Sequence, residues 1–155
     1  MRVLYGVLPI AAALTYGVWQ HYAAQVYVGD LPPFDLHFYD YDEALVYVAG
    51  LNPDAKAIYL GPLRSADTAL MLLLAATLIV PVWRLGWLWC LPALAYATFD
   101  FFENGTVAAL LTHGIREAGE VDTVTLLTLS KFVTLGIAGV LALWGLWRMR
   151  GRNGG

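Results

Sequence analysis

Residues 70–87 read Leu-Met-Leu-Leu-Leu-Ala-Ala-Thr-Leu-Ile-Val-Pro-Val-Trp-Arg-Leu-Gly-Trp. From Leu70 to Val82 there is one hydroxyl and no charge, then Arg84-Leu85-Gly86 forms a tight turn and Trp87 reopens an apolar run. A membrane-crossing helix needs roughly 20 mostly apolar residues, so this stretch predicts the inner ends of two adjacent spans. Working outward, one span covers residues 66–83, opening near Asp67, and the next covers residues 87–111. A third apolar run covers residues 3–24, free of acids and bases. A fourth covers residues 123–147 and is stopped by Arg148, Arg150 and Arg152. The expected fold class is all-α: a four-transmembrane-helix bundle forming a single membrane domain over residues 1–155. Residues 25–65 form a long outer loop. The first run follows Arg2, but its apolar core exceeds the roughly 7–15 residues of a signal-peptide core, so it is read as a retained span.

Composition agrees. Of 155 residues 59% are hydrophobic and only 14% are charged, against about 45–50% and about 25% in soluble domains. A net charge of -3 gives no basic footprint for nucleic acid. The single cysteine, Cys90, rules out an intramolecular disulfide and a paired-cysteine zinc or redox site. It reads as a small buried apolar residue.

Charge orients the bundle. Arg2, Arg84, Arg148, Arg150 and Arg152 fall at one end, and the acids outside the third span fall in the two loops at the other. Lys and Arg mark the cytoplasmic face, so both termini are expected to be cytoplasmic. Trp83, Trp87, Trp89, Trp144 and Trp147 gather at the same end as an aromatic belt, while Trp19 sits toward the outer end.

Asp40 and Glu43 have capping-box spacing before the apolar run Ala44–Ala49, predicting a short amphipathic helix in the outer loop. Asn52-Pro53 reads as an N-cap followed by a first-turn proline. A helix from Pro53 is expected to run into the second span with a kink at Gly61-Pro62. Lys56, Tyr59, Leu63 and Asp67 then share a face.

The chemistry-bearing segment is Ala97-Thr-Phe-Asp100-Phe-Phe-Glu103-Asn104. Asp100, Glu103 and Asn104 stand at i, i+3 and i+4 and share one helix face. Asp100 lies about 20 Å along the helix from Trp87, and Lys131 lies about 13 Å in from Asp122, at about 1.5 Å per residue. The short connection makes the third and fourth spans antiparallel neighbours, so Glu103 and Lys131 are expected to pair. Thr128 and Thr134 offer hydroxyls on the Lys131 face. A central acid or lysine costs roughly 2.5–3.5 kcal/mol, whereas a leucine returns roughly 0.3–0.6, so a partner is required. Two carboxyls against one lysine also favour a proton shared between Asp100 and Glu103. Intramembrane ionisable residues mark a functional site by default, although an ion pair that only fixes helix register has the same signature. Arg64, Asp67, Tyr59 and Lys56 approach from the second span, and Tyr16, Gln20 and His21 from the first.

Other signals are weaker. Asn104-Gly105-Thr106 fits a glycosylation pattern but lies within a span. Asp35, His37, Asp40, Asp42 and Glu43 form an oxygen-rich stretch whose spacing fits no metal motif, and it reads as a solvated acidic loop. No metal or cofactor is expected. The sequence contains no zinc-protease motif, nucleophile elbow or phosphate-binding glycine loop.

Tyr41 before a short helix, Lys56-x-x-Tyr59, Asp67 opening a span, Asp100-x-x-Glu103-Asn104 and Lys131 in the last span together resemble a family of small bacterial four-helix integral membrane proteins without assigned activity. That family is expected to carry Gly-Arg-x-x-Tyr where this chain has Ala55-Lys56-Ala-Ile-Tyr59, so a planar donor is replaced by a point charge. The resemblance covers nearly the whole chain. It implies a multi-pass protein of the bacterial inner membrane with a shared polar site, and no reaction.

Three functions fit these residues. The first is a membrane enzyme or binding protein for a lipid-like ligand, with Asp100 or Glu103 as acid or base, Lys131 as electrostatic partner and Asn104 as orienter. The second is proton- or ion-linked transport, as a homo-oligomer because four helices make a thin wall. Against it, the inner halves of the first and fourth spans carry no polar trail. The third is an accessory subunit docking a partner through Phe34, Phe38, Tyr39 and Tyr41.

Overall fold

The computed structural model describes residues 3–152, with side chains described through Met149. Arg2 lies outside the described residues, as do the side chains of Arg150 and Arg152. Among the described residues the chain is all-helical, and its one β feature is an isolated bridge between Val28 and Leu31. Helix α1 spans Leu4–Ala23, α2 Tyr41–Gly50, α3 Pro53–Ile58, α4 Arg64–Val82, α5 Leu91–His113 and α6 Ala118–Arg152. Two continuous helical stretches, 53–85 and 118–149, are long and apolar enough to cross a membrane. α1 has 20 residues and α5 has 23, but α1 carries Gln20 and His21 in its last turns and α5 carries Asp100 and Glu103.

Local chemistry sets the helix boundaries. Asp40 caps α2, its carboxylate accepting from the Glu43 amide at 2.8 Å. Glu43 does not complete a reciprocal box; its carboxylate turns to His37 at 3.1 Å. Asn52 caps α3 by accepting from the Ala55 amide at 2.8 Å, with Pro53 in the first turn. Between α3 and α4 lies a π-helical turn, Tyr59–Leu63, that contains Gly61 and Pro62. Proline removes a backbone donor, and a π turn lets the helix continue past it. At the opposite end Gly86, at φ +124°, reverses the chain between two 3₁₀ turns, Trp83–Leu85 and Trp87–Cys90.

α4 packs against α1, α5 and α6, and α5 packs along α6. The Tyr5 hydroxyl donates to Met149 Sδ at 3.4 Å and to the Val80 carbonyl at 3.5 Å. The start of α1 and the ends of α4 and α6 therefore lie together. Gly145 lets α6 close on α4 there: a Cβ at this position would stand 2.9 Å from the Pro81 carbonyl oxygen.

The main apolar core lies at the other end. It joins Trp19 and Ala23 of α1 to Phe34, Tyr39 and Tyr47 of the long loop, and to Val107, Leu111 and Val124. A smaller cluster of Met71, Ala75 and Tyr96 lies deeper. Outward faces are apolar as well: Ile10 and Leu14 of α1, Leu72 of α4, Phe101 and Phe102 of α5, and Val140 and Leu143 of α6 are exposed.

Candidate functional site

Between the two apolar clusters sits a buried polar group. Asp100, Glu103 and Asn104 all face inward from α5, while Phe101 and Phe102 between them are exposed, as helical spacing requires. Lys131 enters from α6. Its ammonium contacts Glu103 Oε2 directly, Asp100 Oδ1 at 3.2 Å and Asp35 Oδ1 at 3.7 Å. Thr128, one turn before Lys131, donates its hydroxyl to Glu103 Oε1. Asp67 enters from α4 and accepts from the Asn104 amide, which also lies 3.5 Å from Asp100. Glu103 is fully buried, and Asp35, Asp67, Asp100, Asn104 and Lys131 are each 7% exposed or less.

Asp35 is the member that helical spacing could not find. It lies in a 3₁₀ turn, Phe34–Leu36, inside the long loop. Tyr59 holds that turn down, its hydroxyl accepting from the Phe34 amide at 3.1 Å and donating to Asp35 Oδ2 at 3.3 Å. The available signal was local: Pro32-Pro33-Phe34 precede Asp35, an apolar setting unlike the Asp40–Glu43 run. The oxygen-rich stretch divides accordingly: Asp35 goes inward, Asp40 caps α2, and Glu43 pairs with His37.

Aromatic rings close the cluster on the loop side. Phe34 stands 4.6 Å from Tyr39 and 5.3 Å from Tyr47, centroid to centroid. Tyr47 donates to the Val26 carbonyl at 2.8 Å, and Tyr39 donates to that of Pro32. Burial pushes both phenols well above their ordinary range, and for Tyr39 the nearby Glu43 adds to it. Both therefore remain neutral donors. Phe34 and Tyr39 are buried, Tyr41 is half-buried and of these four rings only Phe38 is exposed, so little of this aromatic set is free for docking.

Not every expected residue joins. Tyr59 does so through Asp35. Arg64 is exposed and Lys56 half-buried, and among the described residues neither forms an ion pair with the cluster. Thr134 turns away, donating to the Ser130 carbonyl at 2.7 Å. Tyr16 and Gln20 hydrogen-bond to each other on α1.

Below the cluster a cleft of about 430 Å³ runs between α1 and α6. One end is lined by Asp35, Asp67, Asp100 and Lys131, and the rest by Pro9, Ala13, Leu70, Leu74 and Leu135. From Asp67 to Thr77 on α4 the lined length is roughly 15 Å, at 1.5 Å per residue. The cleft thus has a charged end and an apolar body. No protein-family model, no curated protein and no solved structure matches this chain.

Proposed function

We propose that this is a multi-pass protein of the cell membrane that binds, and acts on, a lipid-like amphiphile in the cleft between α1 and α6. The observation that carries the reading is the cleft itself: a buried acid–lysine cluster at one end of an otherwise apolar groove. Its volume, about 430 Å³, falls within the roughly 300–1,000 Å³ of small-molecule sites, which pair apolar walls with few polar groups. Four spans, with the Arg84 turn and both termini on the cytoplasmic side, match the positive-inside bias. The apolar exposed faces of α1, α4, α5 and α6 suit lipid, since soluble proteins rarely expose such continuous patches. The bacterial inner membrane is part of the same proposal.

Within this reading Asp67 and Asp100, two of the three acids that line the cleft, are the candidate acid–base groups. Lys131 holds the negative charge together, and Asn104 orients Asp67. Access is lateral, from the bilayer, because Phe34, Tyr39 and Tyr47 pack over the opposite side of the cluster. Transport is the second reading. The lack of charged groups lining the cleft below Asp100 and Lys131 weighs against a continuous proton path.

Photo-crosslinking tests the site. A diazirine-bearing fatty alcohol is added to purified protein in non-ionic detergent, excess probe is removed, and the sample is irradiated. Adducts are expected on Leu74 and Leu135. Adducts spread evenly over the outward Phe101, Val140 and Leu143 would contradict a site in the cleft.

A further inference from the structure

The polar end of the cleft is unbalanced in charge. Four carboxyl groups, those of Asp35, Asp67, Asp100 and Glu103, stand around one ammonium. Lys131 is shared among three of them, with Glu103 in closest contact. Asp67 receives only a neutral donor, the Asn104 amide, and among the described residues it has no ion pair. Asp67 and Asp100 both line the cleft. An ammonium entering there meets acceptors that no protein cation fully satisfies. A phosphate or carboxylate entering there meets one ammonium already engaged by three carboxyls, with Asp35, Asp67 and Asp100 lining the same end, and the net repulsion is poorly screened in low dielectric.

A second observation points to a ligand independently of charge. Trp19 lines the same cleft and is 3% exposed, yet its indole Nε1–H has no hydrogen-bond partner. A buried indole N–H normally finds one, and an orphaned buried donor costs about 1–3 kcal/mol. Asp35, also lining the cleft, has in Oδ1 a buried acceptor without a hydrogen bond, 3.7 Å from the Lys131 ammonium. Both orphaned atoms are buried behind the cleft wall, so the polar end of the cleft is left with unmet hydrogen-bonding groups.

Resting on the reading of the cleft as an amphiphile site, we infer that it selects a single-chain amphiphile with a cationic amine head over one with an anionic head. The chain lies along Leu74 and Leu135. The amine meets Asp67 and Asp100 through charge-assisted hydrogen bonds. Discrimination comes as much from repulsion of the wrong head as from attraction of the right one.

The test is native mass spectrometry of the full chain, released from non-ionic detergent and titrated with dodecylamine, dodecanol or dodecyl phosphate. Wild type is expected to retain dodecylamine at least about tenfold more tightly than dodecyl phosphate, with dodecanol between them. Asp67→Asn is expected to narrow that gap. Leu74→Trp, which fills the cleft, is expected to lose all three probes, and circular dichroism shows that it remains helical. Dodecyl phosphate retained as well as the amine, but lost in Leu74→Trp, overturns the head-group inference and leaves the cleft reading standing. Retention of all probes in a folded Leu74→Trp, or of none by wild type, overturns both. The comparison among heads is made on wild type, so it does not depend on any variant folding.

Discussion

Lys131 on α6 and Glu103 on α5 meet as a direct ion pair with no solvent access to the carboxylate. The same lysine reaches Asp35 in the loop before α2, so one ammonium ties two helices and a loop. The arrangement offsets the cost of burying acids on an apolar helix: the carboxyls of α5 are answered by the ammonium of α6.

Removing that answer is expected to be expensive. Lys131→Met should destabilise the protein by about 3–5 kcal/mol, as breaking one side of a buried pair does. Glu103→Gln should cost less, because an amide still accepts from Thr128. The double variant should show a coupling of about 0.5–3 kcal/mol. Unfolding in mixed micelles measures all three, and strict additivity would mean the pair is not coupled.

Tyr59→Phe tests the loop over the cluster. It deprives the Phe34 amide of its acceptor and Asp35 of a donor, at a cost of about 1–3 kcal/mol. The amides of residues 34–36 should lose hydrogen-exchange protection while α5 keeps its own. Unchanged protection at Phe34 would mean that other contacts hold the turn.

The same loop predicts an alkaline limit. Tyr39 and Tyr47 have folded pKa values raised above the ordinary phenol value near 10. Below that value both states hold the proton and the stabilisation is complete. As pH rises above about 10 the unfolded chain ionises first, binds fewer protons, and stability falls. A melting temperature that drops above about pH 10, and drops less steeply in Tyr39→Phe, is the expected outcome. A pH-independent melt in that range would contradict it.

Two glycines of α6 are expected to behave oppositely. Gly145→Ala drives a Cβ to 2.9 Å from the Pro81 backbone oxygen and should cost about 1–3 kcal/mol, the usual range for overpacking. A Cβ at Gly139 meets nothing within 4 Å, so Gly139→Ala should be neutral or slightly stabilising through helix propensity. Thermal melts of the two variants separate close helix approach from a general intolerance of α6 to change.

The proposed membrane sidedness rests on the arginines and is open to direct labelling. In a Cys90→Ala background, Glu117→Cys should react with an impermeant maleimide on intact cells, and Leu85→Cys only after permeabilisation. The reverse pattern would invert the bundle, and equal labelling of both would contradict the four-span topology.

Much of the site was legible because helices count. Asp100, Glu103 and Asn104 share a face by spacing alone, and the short turn before α6 sets Lys131 at the depth of Glu103. The caps at Asp40 and Asn52 and the turn at Gly86 were equally local. Asp35 was not legible in this way, because a 3₁₀ turn in a long loop has no periodicity to follow. Lys56 shares the Asp67 face by helical spacing from Pro53 through the expected kink at Gly61-Pro62. Tyr59, Leu63 and Asp67 stay buried together across the π turn at Tyr59–Leu63, and Lys56, a turn further out, stays half-buried outside the cluster. Thr134 shares a face with Lys131 on paper, but a threonine in a helix readily bonds its own backbone, as this one does. The cleft was invisible beforehand, since it arises from how α1 and α6 stand apart over α4.

The most direct measurement is native mass spectrometry of the protein purified in mild detergent, wild type beside Leu74→Trp, for small molecules that copurify. The account predicts a lipid-like adduct on wild type that is absent from the cleft-filled variant. The same adducts on both folded proteins, or no adduct on wild type, would contradict the claim that the cleft between α1 and α6 is an amphiphile site.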